Sequence, residues 1–383
     1  MQRRDFHAEI DRMGCAEMRR VAGLMSGTSL DGVDAALIIT DGCSVQASGH
    51  AVTIPYTPGE QAALGQAVRD ALTMREGQCS PASFSSAEQI IHQTHVRAVR
   101  ELQRHEGAID LIGFHGQTLL HRPECGQTLQ LGDAGALAEA LGIDVVADLR
   151  LEDMRQGGQG APIVPVYHAA LAQRLPLPRP LCFLNIGGVA NLTWIGANEE
   201  LMAFDVGPGN GLIDEFVWSR GLGRYDADGR LGLSGVVDNR ALGLLMQHRF
   251  FGERPPKSLD RYDFKLDAVA GMAPADACAT LAAFTAEAVA AAVALLPAAP
   301  STWVVCGGGC RNAAIMQQLG QRLAAPVMDA AQLGLRADAL EAEAMAYLAM
   351  RSRAGLPITY PMTTGAPRPL RGGHFYPAAG SGR

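Results

Sequence analysis

Residues Gly23 to Asp34, GLMSGTSLDGVD, pack small residues, hydroxyls and two carboxylates into twelve positions and run directly into the apolar segment Ala35–Ile39. Glycine lets a backbone approach a ligand closely and adopt positive φ. A turn built from Gly27, Thr28, Ser29, Leu30, Asp31, Gly32, Val33 and Asp34 offers N–H groups and two hydroxyls, the equipment of a phosphate cradle. Asp31 and Asp34 would repel phosphate and suit Mg2+, its waters or a polar substrate. The same residues also fit an ordinary hairpin turn. Two more glycine turns follow apolar runs: Gly187-Gly188 in LNIGGVANL, and Gly307, Gly308 and Gly309 in VVCGGGCRN. Each alone fits tight strand–helix packing; three together favour phosphate binding. Phosphoryl transfer needs positioning, Mg2+ and a base or water-holder, and few covalent groups.

Asp205, in FDVGPGN, is the base candidate. It ends a strand-like run before a Gly-Pro-Gly loop that leaves its carboxylate unobstructed. A turn-capping carboxylate is the plain alternative. His115, Gln117 and Thr118 form a polar cluster after an apolar strand, where His115 suits a sugar, a carboxylate or a purely structural role. Asp148 ends another strand, and Asp153, Gly157, Gly158 and Gln159 follow in a polar, flexible segment. Arg150 and Arg155 fit surface pairing with these carboxylates. Asn191 and Asn210 suit a sugar hydroxyl, a phosphate or their own turns. Lys257 suits phosphate or solvent. Glu343 sits in the apolar helical stretch EAEAMAYLAMRS and needs a partner or a ligand there, unless it is exposed beside Glu341. Cys306 and Cys310 lack a second ligand pair, so no metal site is expected.

The elements that must position these residues alternate between strand and helix. VAGLMSGTSLDGVDAALII reads as strand, turn, strand; residues 60–76 and 86–105 read as helices. LIGFHG, TLQLGD and IDVVADLR read as strands, and DAGALAEALG as a helix stopped at Gly142. The style then restarts: LCFLNIGGVANLTWI is a hairpin, LMAFDVGPG a strand, NGLIDEFVWSRG a helix. WVVCGGG is a buried strand with RNAAIMQQLGQRL as its helix. Two similar halves, each opening with a glycine-rich hairpin, are therefore expected. The expected division is 18–150 plus 352–383 for one lobe and 151–351 for the other, after an extension of residues 1–17. Met18 opens MRRVAGLMSGTS, a natural start, so the extension is read as a mis-assigned start or a disordered tail.

Composition sets bounds. A chain of 383 residues suits two domains; 48% hydrophobic content, 44 glycines and 19% charge read as a compact α/β protein. A net charge of −7 without a basic block speaks against nucleic acid or an anionic membrane surface as partner. The eight cysteines show no CxxC spacing and read as reduced thiols of a cytoplasmic protein. The first twenty residues lack the apolar stretch of a secretory signal, and no apolar run is read as a membrane span; Ala282–Ala299 reads as a buried helix. No GxxxxGK[ST] occurs, which excludes a P-loop kinase; the HRD and DFG pair of protein kinases and the GxGxxG of dinucleotide-binding folds are also missing.

GLMSGTSLDGVD resembles the opening signature of the anhydro-N-acetylmuramic acid kinases. FHGQTLLHRP, VVADLRLEDMRQGGQGAPIVP, LNIGGVANL, FDVGPGNGLID, PKS, VVCGGGCRN and EAMAYLA resemble that family's landmarks, in its order, from Val21 onward. The chain departs from it at Arg155-Gln156, where small residues are expected. The resemblance implies a two-lobed actin/hexokinase-like, ribonuclease H-like α/β fold with the active site in the interlobe cleft. It implies an ATP-dependent kinase of cell-wall recycling: water activated by Asp205 opens the ring of 1,6-anhydro-N-acetylmuramic acid, and O6 takes a phosphoryl group. It places ATP on the three glycine turns, with Gly307–Gly309 against the adenosine. Mg2+ would be held mainly through ATP and water. His115, Gln117, Asp148, Gln159, Asn210 and Glu343 would form the sugar side. A homodimer is implied as well. The rival readings are a kinase of another amino sugar, a non-catalytic ATP-binding regulator, and an ATP-free glycosidase using Asp205 with Asp148 or Glu343.

Overall fold

The computed structural model describes residues 16–27, 29–74, 80–259 and 263–379. Residues 1–15 of the expected extension, and Thr28 of the first glycine turn, lie outside them. The chain forms two compact units, Met1–Leu171 with Ala339–Arg383, and Ala172–Asp338. These breaks differ from the expected 150/151 and 351/352. Residues 151–171 and 339–351 pack with the first unit, since the helix Leu340–Arg353 rests on that unit's central strands.

In the first unit, β1 (Arg19–Ser26), β2 (Gly32–Thr40) and β3 (Val45–Pro55) form an antiparallel meander. β4 (Leu111–Arg122) pairs parallel with the other side of β1, β5 (Gln127–Leu131) folds back on β4, and β6 (Val145–Ala147) continues the parallel side. The C-terminal strand His374–Tyr376 closes that edge, antiparallel to β6. Strands covered on both faces read as nearly continuous apolar runs, which is why Ala35–Ile39 shows no alternation. Ala22 and Leu24 point into a core with Ile91 and Leu102 of the helix Ala82–Glu106. On the opposite face Gly23 and Gly113 meet the helix Leu340–Arg353 so closely that a Cβ would lie 1.8 Å from the Ala342 carbonyl oxygen and 2.1 Å from that of Met345. Only glycine allows this approach.

The second unit repeats the plan. β7 (Leu181–Ile186), β8 (Val189–Ile195) and β9 (Leu201–Pro208) form the meander. β10 (Thr302–Cys306) and β11 (Val327–Asp329) join parallel beyond β7. The sheet orders β3-β2-β1-β4-β6 and β9-β8-β7-β10-β11 are the same topology twice, as the two glycine-rich hairpins led us to expect. Beneath the second sheet runs the alanine-rich helix Pro274–Ala292. With the turn after it, this segment has the length and mean hydropathy (1.8) of a membrane span, a longer apolar run than the sequence reading allowed, yet 67% of that window is buried inside the protein, as the buried-helix reading expects; the helix lies earlier than the expected Ala282–Ala299. Cys43, at the β2–β3 turn, is disulfide-bonded and departs from the reduced-thiol reading. Cys125, Cys182, Cys278, Cys306 and Cys310 are free.

Candidate active site

The first glycine turn is shorter than its sequence suggests. Gly32, Val33 and Asp34 belong to β2 and pair with Pro55, Ile54 and Thr53. Val33 is a core residue, and Asp34 accepts a hydrogen bond of 2.6 Å from the Thr53 hydroxyl. The turn proper is Gly27 to Asp31, with Leu30 at φ +55 and the Ser29 hydroxyl donating to Asp31 at 2.7 Å. A left-handed leucine is strained and persists only where its surroundings over-determine it. Gln117 is part of that determination. Its carbonyl oxygen accepts from Ser26 Oγ at 2.5 Å, and its Nε2 donates to the Gly27 carbonyl at 3.1 Å. Gln117 is fully buried, so its amide fixes the turn from behind.

His115 is buried and committed at both nitrogens. Arg150 Nε donates to its Nε2 at 3.0 Å, so its Nδ1 carries the proton and donates to the Gly116 carbonyl at 2.9 Å. Burial, with Arg150 beside it, pushes the imidazole down to about 3, and the ring is neutral. Arg150 also donates to the Gly160 carbonyl at 2.7 Å. It is thus an internal strut and no surface partner, whereas Arg155 is exposed and lies 4.0 Å from Glu152. Asp148 stands at φ +57 at the end of β6, and Tyr376 donates to its Oδ2 at 2.7 Å. Its Oδ1 has no partner among the described residues. Glu343 is 2% exposed and accepts a 2.6 Å hydrogen bond from Tyr167, which rules out the exposed position beside Glu341.

The loop Gly157–Gly160 carries its three glycines for two reasons. Gly157 and Gly160 take positive φ, and a Cβ on Gly158 would lie 2.2 Å from Asp153 Oδ2. Gln159 therefore supplies the loop's one side chain beyond hydrogen. Its amide makes no hydrogen bond among the described residues.

In the second unit, the turns at Gly187-Gly188 and after β9 interlock. Gly209 and Gly211 donate to the Gly188 carbonyl at 3.0 and 3.1 Å, and Asn210 N–H donates to the Gly187 carbonyl at 2.8 Å. Gly307, at φ +76, fits against Asn185 and Ile186, where a Cβ would lie 2.3 Å from Asn185 Oδ1. Gly188 and Gly308 stay exposed. The helices Gly211–Ser219 and Ala313–Arg322 begin at these loops, capped in the second case by Asn312 Oδ1, whose Nδ2 reaches Asn210 Oδ1 at 3.5 Å. Bare backbone together with two helix N-termini forms a setting for anions.

Asp205 lies in a polar row across this sheet, since Asn185, Asn191 and Asp205 are successive cross-strand partners. The edge of β9 is covered by the segment Lys257–Leu259: Asp205 N–H donates to the Lys257 carbonyl at 3.1 Å, and Leu259 N–H donates to Asp205 Oδ2 at 2.8 Å. Oδ1 is unengaged among the described residues. Burial raises the carboxyl from 3.8 to about 7, against the lowering effects of the Leu259 N–H and of Lys257. A carboxylate with one oxygen held, one open and a pKa near neutrality is suited to take a proton from water. Lys257 is neither solvated nor reaching outward: its ammonium is buried on the Phe250 carbonyl at 3.0 Å and 4.1 Å from the centre of the Phe250 ring.

The structure thus groups Asn210, Asp205 and the turns Gly187-Gly188 and Gly307–Gly309 in the second unit, and the turn Gly27–Asp31 with His115, Gln117, Asp148, Gln159 and Glu343 in the first. Tyr167, Tyr376 and Thr364 were not singled out from sequence, because each acts on a partner distant in the chain. Asn185 carried a signal that went unused: a lone polar residue in the apolar strand LCFLNI.

The model of the family described as anhydro-N-acetylmuramic acid kinase matches residues 19–378. A relative from Rhodopseudomonas palustris (strain BisB18) with that name is 48% identical over 358 residues, covering 92% of this chain and 98% of its own. One from Caulobacter vibrioides, also so named, is 46% identical over 372 residues, covering 93% and 98%. Among solved structures, component A of (R)-2-hydroxyglutaryl-CoA dehydratase from Acidaminococcus fermentans is 10% identical with a TM-score of 0.46, covering 88% of this chain and 99% of its own. A match along nearly the whole length, to a family model and to relatives sharing almost half their residues, places the chain in the anhydro-N-acetylmuramic acid kinase family.

Proposed function

We propose that this chain uses ATP and water to convert 1,6-anhydro-N-acetylmuramic acid into N-acetylmuramic acid 6-phosphate and ADP, in the cytoplasm, as a step of cell-wall recycling. Membership of the family supports this reading, and the observation that carries the mechanism is Asp205. Its Oδ2 is held by the Leu259 N–H at 2.8 Å and burial raises its carboxyl to about 7. Asp205 takes a proton from water as the water oxygen bonds to the anomeric carbon. The bond from that carbon to O6 breaks, and O6 bonds to the γ-phosphorus as ADP departs. The exposed backbone at Gly188 and Gly308, beside two helix N-termini, supports phosphate binding in the second unit; the turn Gly27–Asp31 supports it in the first.

Mg2+ belongs to this reading as an ion carried mainly by the nucleotide and water. When bound, Mg2+ neutralises charge on the transferred phosphoryl group. Among the described residues, Asp148 and Gln159 retain free hydrogen-bonding capacity for the sugar; Glu343, His115 and Gln117 complete that side, the last two from behind. A homodimer belongs to this reading, supported by exposed Trp218, Tyr225 and Val236 on the second unit.

The test is ADP release with ATP-Mg2+ and the anhydro sugar, for wild type and Asp205→Asn, with mass analysis of the product. Sugar-dependent ADP release, a product heavier by one water and one phosphoryl group, and near-complete loss in the variant are expected. Turnover that ignores the sugar, or a variant at full rate, refutes the assignment.

A further inference from the structure

The loop Gly157–Gly160 is held by a buried network that none of the chemistry above uses. Asp153 is 2% exposed, and both its oxygens are committed. Gly160 N–H donates to Oδ2 at 2.7 Å, and Thr364 Oγ1 donates to Oδ1 at 2.7 Å. The Asp153 carbonyl accepts from Gly158 N–H at 2.8 Å, and the Thr364 carbonyl accepts from Gln159 N–H at 2.7 Å. Arg150 holds the Gly160 carbonyl from a third direction. The backbone at 158, 159 and 160 is thus tied at each residue: Gly158 by the Asp153 main-chain carbonyl, Gln159 by that of Thr364, and Gly160 by the Asp153 carboxylate, whose other oxygen is held by the hydroxyl of the completely buried Thr364. A loop of three glycines loses much conformational entropy on ordering. Here the ordering is bought with two buried polar side chains, one of them 211 positions away in sequence. The only side chain that this loop presents is Gln159, half-exposed and with its side-chain amide uncommitted among the described residues.

We propose that Asp153 and Thr364 are positioning residues for Gln159: they fix the loop so that the Gln159 amide meets a neutral hydrogen-bonding group of the sugar. The proposal rests on the reading that this chain is a sugar kinase. An amide contributes a donor and an acceptor in a fixed plane, so its orientation decides whether both are used. Without the Thr364 hydroxyl the carboxylate loses one partner, the loop samples other conformations, and sugar binding weakens while the phosphate-binding turns are untouched.

The experiment uses the full chain and steady-state ADP formation, with KM for the anhydro sugar, KM for ATP and kcat measured separately. For Thr364→Val, the sugar KM should rise about tenfold, with ATP KM and kcat within about twofold of wild type. Thr364→Ser, which restores the hydroxyl, should return the sugar KM to the wild-type range. Gln159→Ala should show the same sugar-specific defect, and Gln159→Ala combined with Thr364→Val should be no worse than Gln159→Ala alone. If Thr364→Val does not fold, Gly158→Ala serves instead, since its methyl displaces the Asp153 carboxylate from the other side. Unchanged kinetics in these variants, multiplication of the two defects in the double variant, or an equal rise in both KM values overturns the proposal. A wild type without sugar-dependent ADP release fails at the earlier reading, and the two failures are therefore distinguishable.

Discussion

Replacing Asp205 by asparagine should make the protein inactive and, above neutral pH, more stable. Asparagine keeps the shape, and its carbonyl oxygen can still accept from Leu259 N–H at the position of Oδ2. What it lacks is a charge. In the wild type, burial raises the Asp205 carboxyl from 3.8 to about 7, so the folded state holds this proton more tightly than the unfolded state does. A raised pKa leaves stability intact below the unfolded value and removes it as pH climbs through the folded one. At about 1.4 kcal/mol per pH unit, the rise amounts to about 4 kcal/mol, fully lost to the wild type above pH 7 and absent below pH 3.8. Urea denaturation of both proteins from pH 4 to pH 9 should therefore show curves that coincide at the acid end and separate upward from there, with Asp205→Asn the more stable. On the proposed mechanism the same group governs activity in the opposite sense. Wild-type kcat/KM should fall tenfold per pH unit below about 7, and the variant should lose roughly two to four orders of magnitude at pH 8. An acid limb near pH 4, or identical stabilities at pH 8, would refute the argument that burial poises this carboxylate.

Gly308→Ala should fold normally, because the nearest atom to its Cβ is 3.9 Å away, yet raise the ATP KM with the sugar KM unchanged; steady-state kinetics with each substrate varied checks this. Gly307→Ala, at φ +76 and 2.3 Å from Asn185, should instead lower the thermal midpoint, read by calorimetry. Gly23→Ala places a methyl 1.8 Å from the Ala342 carbonyl oxygen and should cost more than about 4 kcal/mol, seen as loss of folded protein by circular dichroism. Gln117→Leu should lower stability by roughly 1–3 kcal/mol in urea denaturation, because Ser26 Oγ and the Gly27 carbonyl lose buried partners.

Local signals carried much of the architecture. The hairpins around Gly187-Gly188 and the first glycine turn were legible, since apolar runs broken by glycine leave few alternatives, and the helix before Gly142 ends where its left-handed cap, φ +66, stops it. The division into units was less so. Leu340–Arg353 reads as a helix from its sequence, but nothing in it says which sheet it covers; the answer lies in Gly23 and Gly113, whose missing side chains admit its backbone. Val33 was placed on the nucleotide because it follows Gly32 in a run of polar and small residues, whereas strand pairing with Ile54 turns it into the core.

The candidate site shows a different limit. Sequence identifies polar residues beside glycine and at strand ends, but not how much of their hydrogen-bonding capacity is already used inside the protein. Gln117 and Gln159 look alike as letters: both are uncharged amides next to glycine-containing turns. Gln117 is consumed by Ser26 and Gly27, ninety-one and ninety positions away, and sets a turn. Gln159 has its backbone N–H taken by the Thr364 carbonyl and its side chain left open. The same holds among the carboxylates, where Asp153 has both oxygens occupied while Asp148 and Asp205, among the described residues, keep one each. Since an unmade hydrogen bond at a buried polar group is costly, a folded protein leaves such capacity open chiefly where a ligand or water completes it. Open capacity is therefore the sharper criterion for a contact residue, and committed capacity the mark of a positioning one. On the proposed reading, that criterion assigns Gln159, Asp148 and Asp205 as the residues that would touch the reactants, and Gln117, His115 and Asp153 as those that hold the backbone around them.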